Sequence, residues 1–270
     1  WDLEVAKLFA WIDSNATNSK VLISSRIRDV LEGGEIIDVL VPSKSNAVKM
    51  LLSTAGMDVG ALQDRDEVGQ IADLCKRLPL TIGVAGKLIR QLVNGATVVE
   101  ASEWADVLAL LEEELVDSES SIEESVIRAS LKAIPAKIRS KVTQLFHGFA
   151  LAPEDTQVPL EIIGMLYDAS SEAAAVTTAV AKDGSSRTAT TTMISRLQIR
   201  RCWKTLIDRS LVLGSVDRPQ LHDVMLVYVQ KQWAEGARKA AAREVVEAMR
   251  KADRSPTSMT GQYMQQYIRH

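Results

Sequence analysis

The sequence predicts a mainly helical protein with a short α/β stretch at its start. Three observations carry this. After Pro42 the apolar residues recur at helical spacing along most of the chain, and they are aliphatic: aromatics are 4% of 270 residues, so the helices must pack through Ala, Val, Leu and Ile faces. Before Pro42 two apolar runs, residues 20–24 and 35–41, have strand character and flank Gly33-Gly34. Near residue 210 two further strand-forming segments flank a turn containing Gly214. A hydrophobic content of 46% supports a sizeable core and excludes a globally disordered chain.

Taken in order, residues 3–12 place Leu3, Val5, Leu8, Phe9 and Trp11 on a helical face. Lys20 to Ser24 is expected as a short buried strand and Glu35 to Val41 as a second, ended by Pro42, with a helical turn at Arg28 to Leu31 between them. This resembles the tail of an α/β sheet. Ser43 caps a helix running to about Thr54. A polar loop, Asp58 to Asp66, leads to a helix over Val68–Leu78, and Pro79 opens the next at its first turn, where its missing N–H costs little; that helix extends to about Leu92. Glu100–Leu115 is helical. An acidic stretch, Asp117 to Ser121, reads as a boundary. Helices follow from Glu123, after Pro135 and after Pro159. The Ala/Ser/Thr-rich residues 168–192 start helical over Glu172–Ala181 and pass into a loop at Lys182. Met193–Arg209 is a long amphipathic helix. Ser210–Leu213 and Pro219–His222 pair as a hairpin, giving a winged-helix pattern. Val224–Trp233 is a closing helix, with Asp223 as its N-cap, and the tail from Gly236 is helical and charged.

Composition narrows the function classes. The net charge is −3 with an isoelectric point near 5.8, so no broad basic surface is implied and nucleic acid is not an expected partner. Cys75 and Cys202 make no disulfide framework. No apolar run is long enough to span a bilayer, so no membrane association is expected. Trp1 brings no initiator methionine or signal pattern, and residues 262–270 stop inside a helical pattern. A longer parent protein is expected on both sides. His147 and His270 lack neighbours at ligand spacing, so no metal site is expected.

Three segments carry candidate chemistry. Arg26 follows the run Val21-Leu22-Ile23-Ser24-Ser25, at the carboxyl end of an expected strand, where open sheets place ligand contacts and a guanidinium can grip a phosphate at two points. Pro79 stands in Leu78-Pro79-Leu80 behind Ile71 to Arg77 and offers a rigid apolar ring. His222 stands in Leu221-His222-Asp223 ahead of Val224-Met225-Leu226. Each also has a plain reading: a solvated arginine, a helix-opening proline and a capping histidine. Together and in this order they resemble the second half of the NB-ARC nucleotide-binding module of signalling ATPases. Ser130 to Pro135 and Leu206-Ile207-Asp208-Arg209-Ser210-Leu211-Val212 are similar to that family's scaffold segments, and Trp1-Asp2 to the residues after its Walker B aspartates. Arg77 stands where the family has glycine, and Leu221 where it has methionine.

The resemblance implies a cytoplasmic ADP/ATP switch in defence-like or apoptosis-like signal transduction. Arg26 would sense the terminal phosphate, Pro79 pack near adenine and His222 donate to the β-phosphate of ADP. It also implies four regions: 1–42, the remnant of a P-loop α/β domain; 43–117, a helical bundle; 118–235, a winged helix with an insertion at 168–192; and 236–270, a helical tail. Expected partners are the nucleotide, the missing N-terminal half, a C-terminal repeat or sensor domain and further copies on activation. No phosphate loop or paired-aspartate strand occurs in the sequence. The chain alone is therefore expected neither to hydrolyse ATP nor to bind nucleotide tightly; the Mg²⁺ site would lie outside it, and slow ATPase activity would belong to the parent. Two other readings compete. One is a DNA-binding winged-helix regulator, suggested by Arg196, Arg200, Arg201, Lys204 and Arg209; the other is a helical adaptor without a ligand.

Overall fold

The computed structural model describes residues 3–15, 22–24, 35–94, 101–115, 120–154, 156–180, 195–252, 255 and 258–267. The chain divides into two compact units, 1–41 and 42–270.

The first unit contains helix α1 (Leu3–Asn15), on which Leu8 and Trp11 are exposed. The expected strands do not form among the described residues: Leu22 to Ser24 and Glu35 to Val41 have no strand pairing. Val39 is 97% exposed. An apolar run of this kind becomes a strand only when neighbours take up its N–H and C=O groups and cover both its faces. The described residues supply no such neighbour. The helical turn expected at Arg28 to Leu31 lies outside the described residues.

The second unit is mainly helical and shares one continuous aliphatic core from Ala47 to Tyr263. It opens with α2 (Lys44–Ala55), capped by Ser43, whose hydroxyl accepts from the Asn46 N–H. The expected polar loop contains a short helix, α3 (Val59–Leu62), capped by Asp58. Next come α4 (Asp66–Leu74), α5 (Pro79–Leu92), α6 (Ala101–Leu115) and α7 (Ile122–Lys132). The fourth is shorter than expected because the chain turns left-handed at Lys76 and Arg77. The α5 helix packs on α2 and α7, and α6 packs on α4 and α7. Arg128 fastens α7 to α6 through Glu114 at 3.2 Å, with Lys132 between Glu113 and Glu114.

From Pro135 the chain builds a second cluster: α8 (Ala136–Gly148), a 3-10 turn (Phe149–Leu151), α9 (Leu160–Val180) and α10 (Arg196–Ile207). The last begins with a capping box between Ser195 and Gln198. The Ala/Thr-rich stretch is helical over its first half, as expected: α9 runs unbroken from Leu160 through Val180, and alanine carries high helix propensity. The loop expected at Lys182 lies outside the described residues. The hairpin is shorter than expected. It pairs only β1 (Leu213–Gly214) with β2 (Pro219–Gln220), antiparallel, Leu213 opposite Gln220 and Gly214 opposite Pro219. Ser210 (φ 56°) instead ends α10, with the Leu211 N–H bonded to the Leu206 carbonyl. Gly214 has φ 81°, and a Cβ there would lie 2.4 Å from the Arg218 carbonyl oxygen, so only glycine fits. Three helices close the unit: α11 (Asp223–Lys231) on α8 and the 3-10 turn, α12 (Glu235–Lys251) on α9, and α13 (Met259–Tyr267). No helix among the described residues is long and apolar enough to cross a membrane.

Candidate functional site

Arg26, with Ser25 and Arg28, lies outside the described residues; Ser24 is exposed. Pro79 and His222 both belong to the second unit, at the starts of two different helices.

Pro79 is the first residue of α5 and is exposed. The turn before it is held from inside. The buried Thr81 hydroxyl donates toward the Cys75 and Leu78 carbonyls, at 2.7 and 2.9 Å. Lys76 and Arg77 both take left-handed backbone, φ 49° and 56°, which lets the Arg77 N–H reach the Ala72 carbonyl at 3.0 Å. Burial drives the Cys75 thiol up to about 12, with the Thr81 contact opposing, so this sulfur is an inert core group. Left-handed φ costs an L-residue about 1 kcal/mol, part of which glycine's flexibility in the unfolded chain offsets. The Asp73 contact of Arg77, 3.9 Å and exposed, adds little. Arg77→Gly is expected to stabilise the protein by roughly 0.5 kcal/mol, read as a raised thermal midpoint.

His222 is the N-cap of α11 and is exposed. Its Nδ1 accepts from the Val224 N–H at 3.3 Å, and its carbonyl accepts from the Leu226 N–H at 2.9 Å. The cap is therefore His222 rather than Asp223. The chain arriving from β2 holds His222 in extended conformation (ψ 146°), so Asp223 becomes the first helical residue, where its charge suits the helix dipole. With Nδ1 accepting, the neutral imidazole carries its proton on Nε2. Leu221 is buried and anchors this corner.

Behind α11 lies an aromatic cluster. The ring centroids of His147 and Tyr228 are 6.4 Å apart, those of Phe146 and Tyr228 6.1 Å. Trp233 donates to the His147 carbonyl at 3.0 Å. Burial pulls the His147 imidazole from 6.5 down to about 4, and its Nε2 is buried without a partner among the described residues. Between those two values the unfolded chain takes up a proton that the folded chain refuses. His147 therefore costs nothing above pH 6.5, and its penalty grows as pH falls, reaching about 3 kcal/mol near pH 4. Urea titrations from pH 7 to 4.5 should show His147→Met losing less stability than the parent across that window.

A cleft of about 370 Å³ lies beside the start of α2 and the α3–α4 turn, lined among others by Lys44, Ser45, Gln63, Asp64, Arg65 and Gly69. It includes neither Pro79 nor His222. Lys44, on its wall, pairs with Asp73 of α4 at 2.7 Å. The polar residues 58–66 were the only sign of it in the sequence.

Arg209 corrects one expectation. Grouped by sequence with the surface cations of α10, it is 4% exposed. It lies past the helix end and donates to the Ser130 and Ala133 carbonyls at 3.1 and 3.3 Å, closing the C-terminus of α7. Burial lowers its pKa, with Asp208 opposing. No group of three or more His, Cys, Asp or Glu placed to hold a metal occurs among the described residues.

Comparison with protein-family models and with curated proteins finds no match to this chain.

Proposed function

We propose that the chain is the nucleotide-sensing and winged-helix portion of an NB-ARC-type switch. In the intact protein it responds to ADP and ATP through Arg26, Pro79 and His222, and it does not turn over ATP by itself. The observation that carries the reading is the placement of His222: directly after the hairpin, exposed, on the first turn of α11, with Nδ1 occupied by the Val224 N–H. That leaves Nε2–H as a donor at the positive end of a helix, the chemistry a β-phosphate needs. Two further features support it. Three helices, α8, α9 and α10, precede the hairpin, an order that suits a winged helix. Arg77 holds positive φ where the resembled motif has glycine.

A donor made only to the ADP-bound form gives the differential binding that a switch requires. Losing one hydrogen bond to a charged group costs about 1.5–3 kcal/mol, or roughly tenfold or more in affinity. The test is an NMR titration of the chain with millimolar ADP, beside an ATPase assay. ADP should shift the resonances of His222, Val224 and the residues around Pro79, and His222→Ala should remove those shifts. ATP turnover should not exceed that of buffer. No shift at these positions, or shifts that survive His222→Ala, would overturn the reading.

A further inference from the structure

The net charge of −3 conceals a segregated surface. The α8 helix carries Lys137, Arg139 and Lys141 and no Asp or Glu. The α10 helix carries Arg196, Arg200, Arg201 and Lys204, again with no acid. The two helices pack together, and all of these side chains are exposed. The Lys141 charge acts on the Cys202 thiol of α10, so Lys141 stands alongside α10 where the two helices pack. The buried side of α10 is Ile199, Cys202, Trp203 and Leu206. At 100° per residue its opposite side centres on Leu197, Arg201 and Lys204, with Arg200 adjacent.

Some of this charge is answered locally. Arg196 pairs with Glu161, Arg200 with Asp217, and Lys204 with Asp208 at 2.9 Å. These pairs are exposed, and such pairs contribute at most about 1 kcal/mol each, so an incoming phosphate can replace the carboxylates. Among the described residues no carboxylate pairs with Lys137, Arg139, Lys141 or Arg201.

We propose that the open face of α10, flanked by the start of α8 and by the β1–β2 hairpin, docks the phosphate backbone of a nucleic-acid duplex. The face is rich in guanidinium groups, which grip phosphate oxygens in pairs, and a single helix presented this way fits a major groove. Arg218 is exposed on the hairpin turn beside β2. Among the described residues Leu197 is 59% exposed on the α10 face, with Ile138 (36%) and Leu213 (45%) exposed on the flanking α8 and hairpin, each from a different element. A protein partner would be expected to meet a larger apolar or aromatic centre, and a bilayer a broader apolar anchor. The overall acidity argues only against a protein basic all round. This surface is independent of the nucleotide reading, and its test contains no nucleotide.

The test is fluorescence anisotropy of the chain with a labelled mixed-sequence DNA duplex. Affinity should fall roughly 100-fold between about 50 and 200 mM salt. The double variant Arg201→Glu/Lys204→Glu should bind at least about tenfold more weakly and lower the salt slope by about two. Lys239→Glu, on α12, should bind as the parent does. If circular dichroism shows the double variant unfolded, Arg201→Gln replaces it, with an expected loss of about one in slope. Absence of binding at low salt, equal binding by the α10 variants, or binding to phosphatidylserine vesicles without binding to the duplex would overturn the proposal.

Discussion

Arg209→Met should destabilise the protein by about 3 kcal/mol, the largest loss expected from a single polar side chain. The guanidinium is buried and, among the described residues, has no carboxylate on its hydrogen-bonding atoms; it donates to the Ser130 and Ala133 carbonyls. Those oxygens end α7, so the cation satisfies groups that the helix cannot and sits at the negative pole of its dipole. Methionine fills similar volume but leaves the oxygens without a donor, at roughly 1–3 kcal/mol each. Relief of guanidinium desolvation offsets part of this. Lysine should recover less than half, because one ammonium cannot fork to two carbonyls. For a unit of this size the methionine variant should melt roughly 6–12 °C lower. A melting point within a degree or two of the parent would show that water replaces the fork at the end of α7.

That arginine marks where sequence reading stops. Helical spacing placed the Met193–Arg209 helix, but not the fact that Arg209 falls just past its end, where Ser210 turns left-handed and swings the side chain inward. Local signals were legible where one residue type dictates backbone: Pro79 at the start of α5, and the Ser43 cap of α2; the Ser195 cap was not legible, because helical spacing starts that helix at Met193. They failed where the outcome depends on distant groups. Glu35 to Val41 has the composition of a strand but no pairing among the described residues. His222 outcompetes the intrinsically better cap Asp223 because the hairpin sets its ψ. As to the candidate site, the sequence placed Pro79 at a helix start and His222 at the end of the returning strand, ahead of an Asp223 cap; the structure makes His222 itself the cap. Whether two side chains 143 positions apart by number serve one ligand is a tertiary property that no local pattern carries.

Gly86→Ala and Gly83→Ala lie one turn apart on α5 and should move stability in opposite directions. A Cβ built on Gly86 meets the Thr54 Cβ at 2.8 Å, the Leu51 carbonyl oxygen at 2.9 Å and the Thr54 Cγ2 at 3.0 Å. Two of these belong to, or branch directly from, the α2 backbone and cannot rotate away. Ordinary contact needs about 3.5–4.0 Å, so α2 and α5 must separate along the apolar interface built from Leu51, Leu52, Ile82, Ala85 and Ile89. Overpacking of this kind costs about 1–3 kcal/mol or more, whereas the helix-propensity gain of Gly→Ala is about 1 kcal/mol. With contacts this short on backbone and branch atoms the cost lies in the upper part of that range, for a net loss of roughly 1–2 kcal/mol, and Gly86→Val should lose more. Gly83 has nothing among the described residues within 4 Å of the same added atom, so there the propensity term stands alone and alanine should stabilise by roughly 0.5–1 kcal/mol. Urea unfolding of the two variants reads the difference directly. If both substitutions stabilise, α5 does not rest against α2 at this distance, and the packing that positions Pro79 at the head of α5 must be redrawn.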